Sequence, residues 1–349
     1  PRRRQRVEAV LHPRRDGHRV GPPSGSADGH PVGPDVGVDH GAAARSDARS
    51  WMKEERKGEL FILSEAVLWA LFPVLTVLSF AGTSPLVSLW WATFLAAFFF
   101  MAVMLYRGTW RELMNPVLWR YGVIISLCIG VGFYGLYYIG LSYTSPGNAA
   151  LIALFEILTS YLLFNFIRKE QFPLEHKIGA VFMLAGAFIV LGKGYSGFAL
   201  GDFLILAATF FAPVGNMYQQ KARDIASSET VMFLRSAITS VILLNLVLVI
   251  GLDISVSGGE EIWPVLLVNG ILIFGLSKML WIEGIHRISV TKAILLQSTT
   301  PLLTLLFAWL LLAQGPTLWQ VLSFVPFLIG ILLLTGNFRI RGLPRPFWG

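Results

Sequence analysis

The stretch Asn148 to Ile167, NAALIALFEILTSYLLFNFI, decides how the rest of the chain is read. Its length suffices to cross a hydrocarbon core of ~30 Å at ~1.5 Å per helical residue. One charge, Glu156, falls near the middle. A carboxylate at that depth is expensive unless it faces a bundle interior or a wet cavity. Ala149, Ala153, Glu156 and Ser160 follow helical spacing and form one small, polar stripe. Leu151, Phe155, Leu158, Leu162 and Phe166 lie largely off that stripe and suit lipid or apolar neighbours. The stripe returns 144 residues later as Ala293, Gln297, Thr300 and Thr304.

Working outward, the 349 residues are 54% hydrophobic and only 14% charged, whereas soluble domains are about a quarter charged. From Glu59 onward, apolar runs alternate with short polar links, the pattern of an all-α polytopic membrane protein. Ten spans are expected, at about 59–80, 86–106, 117–139, 147–167, 175–193, 201–220, 230–251, 262–283, 290–312 and 318–337. Turn chemistry marks the links at Gly82 to Pro85, Asn115-Pro116, Ser145 to Gly147 and Gly315-Pro316. The single cysteine, Cys128, excludes an intrachain disulfide and argues against a soft-metal site. The net charge of +7 does not point to nucleic acid, because nine of the 28 basic residues lie in 1–51 and most others flank apolar runs.

Residues 1–51 are Arg-rich, lack Lys and precede the first methionine, Met52. They are expected to be a disordered basic leader or a stretch not translated in vivo. A lipid-touching basic arm is the functional alternative. His12, His18, His30 and His40 lack the spacing of a metal site. Residues 339–349 are expected to be a cytoplasmic tail.

Counting basic residues in alternate links sets the orientation. One side collects sixteen, from Lys53 to Arg345, and the other has Lys193 alone with acidic Asp253, Glu260 and Glu261. Both termini are therefore expected in the cytoplasm. The halves also repeat: Leu136, Gly140, Ser145, Ala149, Gly186 and Gly192 meet the same residue types at Leu280, Gly284, Ser289, Ala293, Gly330 and Gly336. Five spans per half, an odd number, force the second copy to enter from the opposite face, an inverted repeat about an axis in the membrane plane. The halves are 52–195 and 196–338.

These residues resemble the drug/metabolite transporter superfamily, specifically its EamA-type ten-helix members. The resemblance rests on Ala293 to Pro301, Trp309 to Gln314 and Gly330 in the second half. In the first half it rests on Gly147 to Ala150, Lys169-Glu170, Gly179 and Gly186. It covers about 58–338. The family proline is replaced by Ile157, the closing glutamate by Gln314, and the second-helix arginine, present as Arg235, by Trp91 in the first half. The resemblance implies a central substrate cavity lined by spans one, three, four, six, eight and nine.

Glu156 is the leading candidate. In a low-dielectric site it could load and release a proton as the cavity alternates between faces. Its structural alternative is pairing with Lys278 or hydrogen bonding to Ser and Tyr. Glu65 shares a face with Trp69, Pro73 and Thr76, and is read either as a cavity contact or as a hydrated carboxylate near the membrane end. Lys278 could hold an anionic group or neutralise Glu65 or Glu156. Gln297, Thr300 and Thr304 offer neutral donors and acceptors, or interhelical hydrogen bonds. Pro301, and Pro213 near Asn216, free backbone carbonyls at cavity depth. Arg235, about five residues into its span, is expected to snorkel in a structural role. Of Tyr134, Tyr137 and Tyr138, one is expected to face the cavity. Asn269 is half a helical revolution from Lys278 and cannot share its wall on a straight helix.

No P-loop, His-Glu metal motif or Gly-x-Ser-x-Gly turn is present, and His176 and His286 fall in links, so an enzyme is a poor fit. No cofactor is expected. The expectation is a secondary transporter, with export the expected direction, of small metabolites such as amino acids across the cytoplasmic membrane. Glu65, Trp69, Glu156, Asn216, Lys278, Gln297 and Thr300 are its expected contacts, and Glu156 its proton-coupling group. The partners are a small-molecule substrate and membrane lipid, with the chain a monomer or homodimer. The alternatives are a nucleotide-sugar or sugar-phosphate antiporter, which needs more cavity cations, and a membrane sensor or assembly subunit that transports nothing.

Overall fold

The computed structural model describes residues 40–168, 174–191, 199–257, 259–285, 287–288 and 290–335. Residues 1–39, Lys193 and the expected tail lie outside them. Contacts divide the chain into two units, 1–48 and 49–349.

Among the described residues every element is helical. In chain order they are α1 (His40–Ser79), α2 (Pro85–Arg107), α3 (Pro116–Ile125), α4 (Tyr134–Leu141), α5 (Pro146–Ala153), α6 (Phe155–Arg168), α7 (Leu174–Leu191) and α8 (Leu200–Ala208). They continue as α9 (Ala212–Arg223), α10 (Ser228–Ile250), α11 (Ile262–Leu267), α12 (Lys278–Ile285), α13 (Val290–Gln297), α14 (Thr300–Leu312) and α15 (Leu318–Leu334). Residues 40–51, part of the expected leader, are helical; they contain three consecutive alanines and no proline.

Eight segments among the described residues are long and apolar enough to cross a membrane, Glu54–Ser79 through Lys292–Leu312. The shorter apolar helix Leu318–Leu334 packs along α7. That contact is close because Gly179 and Gly330 face each other's carbonyls, where an added Cβ would come within 3.1 and 2.9 Å. The chain is thus an all-α polytopic integral membrane protein.

Sequence chemistry explains the starts and stops. Pro85, Pro116 and Pro146 each sit in the first turn of a helix, where a missing N–H costs nothing. Asn115 and Ser145 cap α3 and α5 through their side-chain oxygens. Thr317 and Gln320 form a reciprocal capping box on α15.

The spans are interrupted in a pattern. Pro146–Leu163 breaks at Leu154, between α5 and α6, and Lys292–Leu312 at Ser298–Thr299, between α13 and α14. Leu200–Arg223 breaks between α8 and α9, just before Pro213. In Pro116–Leu141 and Ile262–Ile285, Ser126–Phe133 and Val268–Ser277 are π-helical. These wide turns end at Tyr134 and Lys278, again 144 residues apart.

Candidate functional site

The interrupted spans surround a cavity of about 490 Å³. One wall is aromatic, with Trp69 and Phe72 stacked at 4.6 Å between ring centroids and Phe133, Tyr134 and Tyr137 beyond them. The lining also carries polar side chains, Glu156, Ser160, Asn216, Gln297, Ser298 and Thr300.

Glu156 stands in the first turn of α6, directly after the Leu154 break. The positive end of a half-helix favours a carboxylate there. Asn216, in the second turn of α9, donates its Nδ2–H to Glu156 Oε1 at 2.9 Å. Thr300 opens α14 at the matching break, and its buried hydroxyl has no hydrogen-bond partner among the described residues. Pro301 follows in the wall, Thr304 donates to the Ala70 carbonyl at 3.0 Å, and Pro213 places Asn216 by starting α9.

Glu65 is fully buried and does not line the cavity; it lies behind Lys278 and Gln297. Lys278 Nζ donates to Glu65 Oε1 at 3.4 Å and Gln297 Nε2 to Oε2 at 3.1 Å, with Ser277 Oγ at 3.5 Å. The same ammonium sits 3.2 Å from the centre of the Trp69 ring, a cation–π contact. Glu65 therefore anchors Lys278, and the pair is neutral as a unit. Lys278 pairs with Glu65, one of the two partners its position allowed.

Arg235 differs from the sequence expectation. It is 6% exposed and lines the cavity instead of snorkelling. The route to the membrane face is closed by the turn Thr109–Met114, laid over the head of α10. There Glu112 accepts from the Ser227 N–H and hydroxyl at 2.8 and 2.7 Å, while Glu229 takes Arg107 and Thr109, each at 3.4 Å. Ser126 donates to the Arg235 carbonyl at 3.0 Å, fixing that turn of the helix.

Tyr134 and Tyr137 both line the cavity, whereas the Tyr138 hydroxyl accepts from Asn269 Nδ2 at 3.2 Å. Asn269 also reaches Thr76, at 3.3 Å, and stays out of the cavity. Ser160, Gln219, Ser298 and Trp281 join the wall. The i+4 step from Glu156 pointed to Ser160, and Ser298 adjoins the Gln297 to Thr300 stripe. Nothing local in the sequence marked Gln219 or Trp281. Among the described residues no group of three or more His, Cys, Asp or Glu is placed to hold a metal ion.

Residues 56–192 and 199–336 each match the model of the EamA-like transporter family. The chain belongs to that family. Its activity is secondary transport of small molecules across a membrane, not enzymatic turnover. Similar proteins include the uncharacterized transporter YyaM of Bacillus subtilis (strain 168), 25% identical over 277 residues, covering 74% of this chain and 86% of that protein. An uncharacterized transporter of Methanothermobacter thermautotrophicus is 26% identical over 211 residues, covering 58% and 60%. A solved structure titled only "Crystal structure of protein" aligns with TM-score 0.60 and 21% identity, covering 80% of this chain and 96% of its own. That likeness concerns the fold alone.

Proposed function

We propose that this EamA-family chain exports small metabolites such as amino acids across the cytoplasmic membrane, by alternating access of two inverted five-helix halves. The observation that carries the reading is the matched pair of helix breaks at Leu154 and Ser298–Thr299, each bordering the cavity and each followed by a polar residue, Glu156 or Thr300, heading a half-helix. Broken helices at equivalent points of two repeats are how secondary transporters present backbone dipoles to a cargo near the midplane. The duplicated family match supports the repeat.

Support for the direction of opening comes from the lining. Ser160, Gln219, Trp281 and Ile294 extend it toward the span ends that carry Arg168, Lys221 and Arg287. On the far side the buried Tyr138, Asn269 and Thr76 cluster closes it. With both termini on the basic side, this is an inward-facing state. Glu65, Trp69, Glu156, Asn216, Lys278, Gln297 and Thr300 form or buttress the substrate site, Glu65 acting through Lys278 and Gln297. Glu156, held by a neutral amide and not by a cation, is the proton-coupling group.

Counterflow by purified protein in liposomes preloaded with an amino-acid panel tests the reading. Accumulation of labelled substrate against a preloaded pool is the expected result. Absence of exchange for every member would favour a sensor or assembly subunit.

A further inference from the structure

The cavity wall carries two cations, and only one has a counterion among the described residues. Lys278 is held by Glu65 and lies on the Trp69 ring. Arg235 has no carboxylate within salt-bridge distance and no side-chain hydrogen bond to any described residue. Glu229 and Glu112, at the two edges of its helix head, are already engaged. Its guanidinium is nonetheless near enough to Lys278 and Tyr134 for the charges to act on each other. The guanidinium therefore faces the cavity as a permanent positive charge with no fixed counterion, in a low-dielectric wall that favours an anion, and it cannot escape by losing its proton.

A mobile counterion resolves this. We propose that Arg235 receives the carboxylate of the transported substrate, a small organic acid whose apolar or aromatic body lies against Trp69, Phe72, Phe133 and Tyr137. The inference rests on the transport reading of the same cavity and narrows its cargo. The planar fork of arginine matches a carboxylate with two parallel hydrogen bonds. A doubly charged phosphate would call for a second free cation, and Lys278 is taken. With the Lys278–Glu65 pair neutral, the charge of the wall depends on Arg235 and Glu156. When Glu156 is protonated the wall accepts a monoanion; when it is ionised the wall accepts a zwitterion, whose ammonium group meets Glu156. The carboxylate is common to both.

Four probes of one shape separate the terms: 3-phenylpropanoate, phenylalanine, phenethylamine and 3-phenylpropanamide, titrated into the purified full chain in lipid nanodiscs. Wild type is expected to bind one or both acids and to bind the amine and amide far more weakly. Arg235→Gln should weaken acid binding about 10- to 100-fold, and Arg235→Lys by less. The ligand-free melting temperature of Arg235→Gln should equal or exceed that of wild type, because a cavity-facing charge with no fixed counterion is removed; a structural arginine would give a fall. Binding of 3-phenylpropanoate assigns the monoanion mode, and of phenylalanine alone the zwitterion mode. The inference is overturned if neither acid binds, if the amide binds as well as the acids, or if Arg235→Gln binds them unchanged. If that variant does not fold, the wild-type series decides alone. Arg235-dependent binding without flux in liposomes would retain the site and reject transport. Flux indifferent to the carboxylate would retain transport and reject the site.

Discussion

Asn216 Nδ2 lies 2.9 Å from Glu156 Oε1, an amide on α9 supporting a carboxylate on α6 with no cation at salt-bridge distance among the described residues. A neutral donor can remain in place whether the carboxyl carries a proton or not, since only one of its oxygens is engaged. An ammonium partner would lock the charged form.

If Glu156 exchanges protons during transport, Glu156→Gln keeps the Asn216 contact and removes the titration. Proton-gradient-driven uptake into liposomes should then be lost, with substrate exchange retained. Wild-type uptake should vary with pH, and the variant's should not. An unchanged pH profile in Glu156→Gln would remove the residue from the coupling step.

Lys278 and Glu65 predict a different pattern. Lys278→Met leaves a fully buried carboxylate without its cation, which should cost about 3–5 kcal/mol. Adding Glu65→Gln should recover most of that loss, giving a large coupling in a double-mutant cycle. Denaturant melts of the four proteins in detergent supply the measurement; additive losses would show that the pair does not act as a unit.

Two glycines separate close packing from backbone conformation. A Cβ on Gly201 would come within 2.2 Å of the Gly140 carbonyl oxygen, so Gly201→Ala should destabilise by ~1–3 kcal/mol as α4 and α8 are pushed apart. Gly251 ends α10 in the left-handed region, φ +77°, with open space around it. Gly251→Ala should therefore cost only ~1–2 kcal/mol, from conformation alone. Thermal unfolding of both variants checks the order.

Gln320 does two tasks. It completes the cap of α15 by accepting from the Thr317 N–H at 2.9 Å, and its Nε2 donates to Asn148 Oδ1 at 2.8 Å. Gln320→Leu removes both and leaves buried Asn148 short of a donor, so a loss of ~1–3 kcal/mol is expected. Thr317→Ala, which touches only the cap, should cost about 1 kcal/mol. Equal losses in the two variants would mean that the bonds from Gln320 Nε2 to Asn148 and Ser145 contribute nothing.

Much of this was legible from residue order alone. Period and spacing found the Glu156 stripe and its copy at Gln297 and Thr300, because both are properties of one helix. Pro213 and Pro301 pointed to freed backbone carbonyls, and the helices break just before both. The Leu154 break carries no such mark: Ile157 follows it where a proline would have advertised it. Glu65 looked like a cavity group because its helical face is right, yet depth behind a neighbour depends on Lys278 and Gln297, which come from over 210 residues away. Arg235 was misplaced because counting residues to the end of a helix assumes that end is wet. The turn at Thr109–Met114 covers it, and no local feature of α10 reveals that cover. The tyrosines could not be sorted because their angular positions depend on the π-helical turns upstream.

Those turns set an angular phase for everything that follows them. Each wide turn accommodates residues that a regular α-helix would spread further round, so Tyr134 and Lys278 inherit their bearing from backbone geometry as much as from their own identity. Removing one residue from Val268–Ser277 would swing the remainder of that span by about 100°. The ammonium would then leave Trp69 and Glu65 although no residue in the cavity wall had been substituted. Drift in the length of these two stretches thus offers a route by which proteins built on one plan can acquire different cargoes while keeping their wall residues.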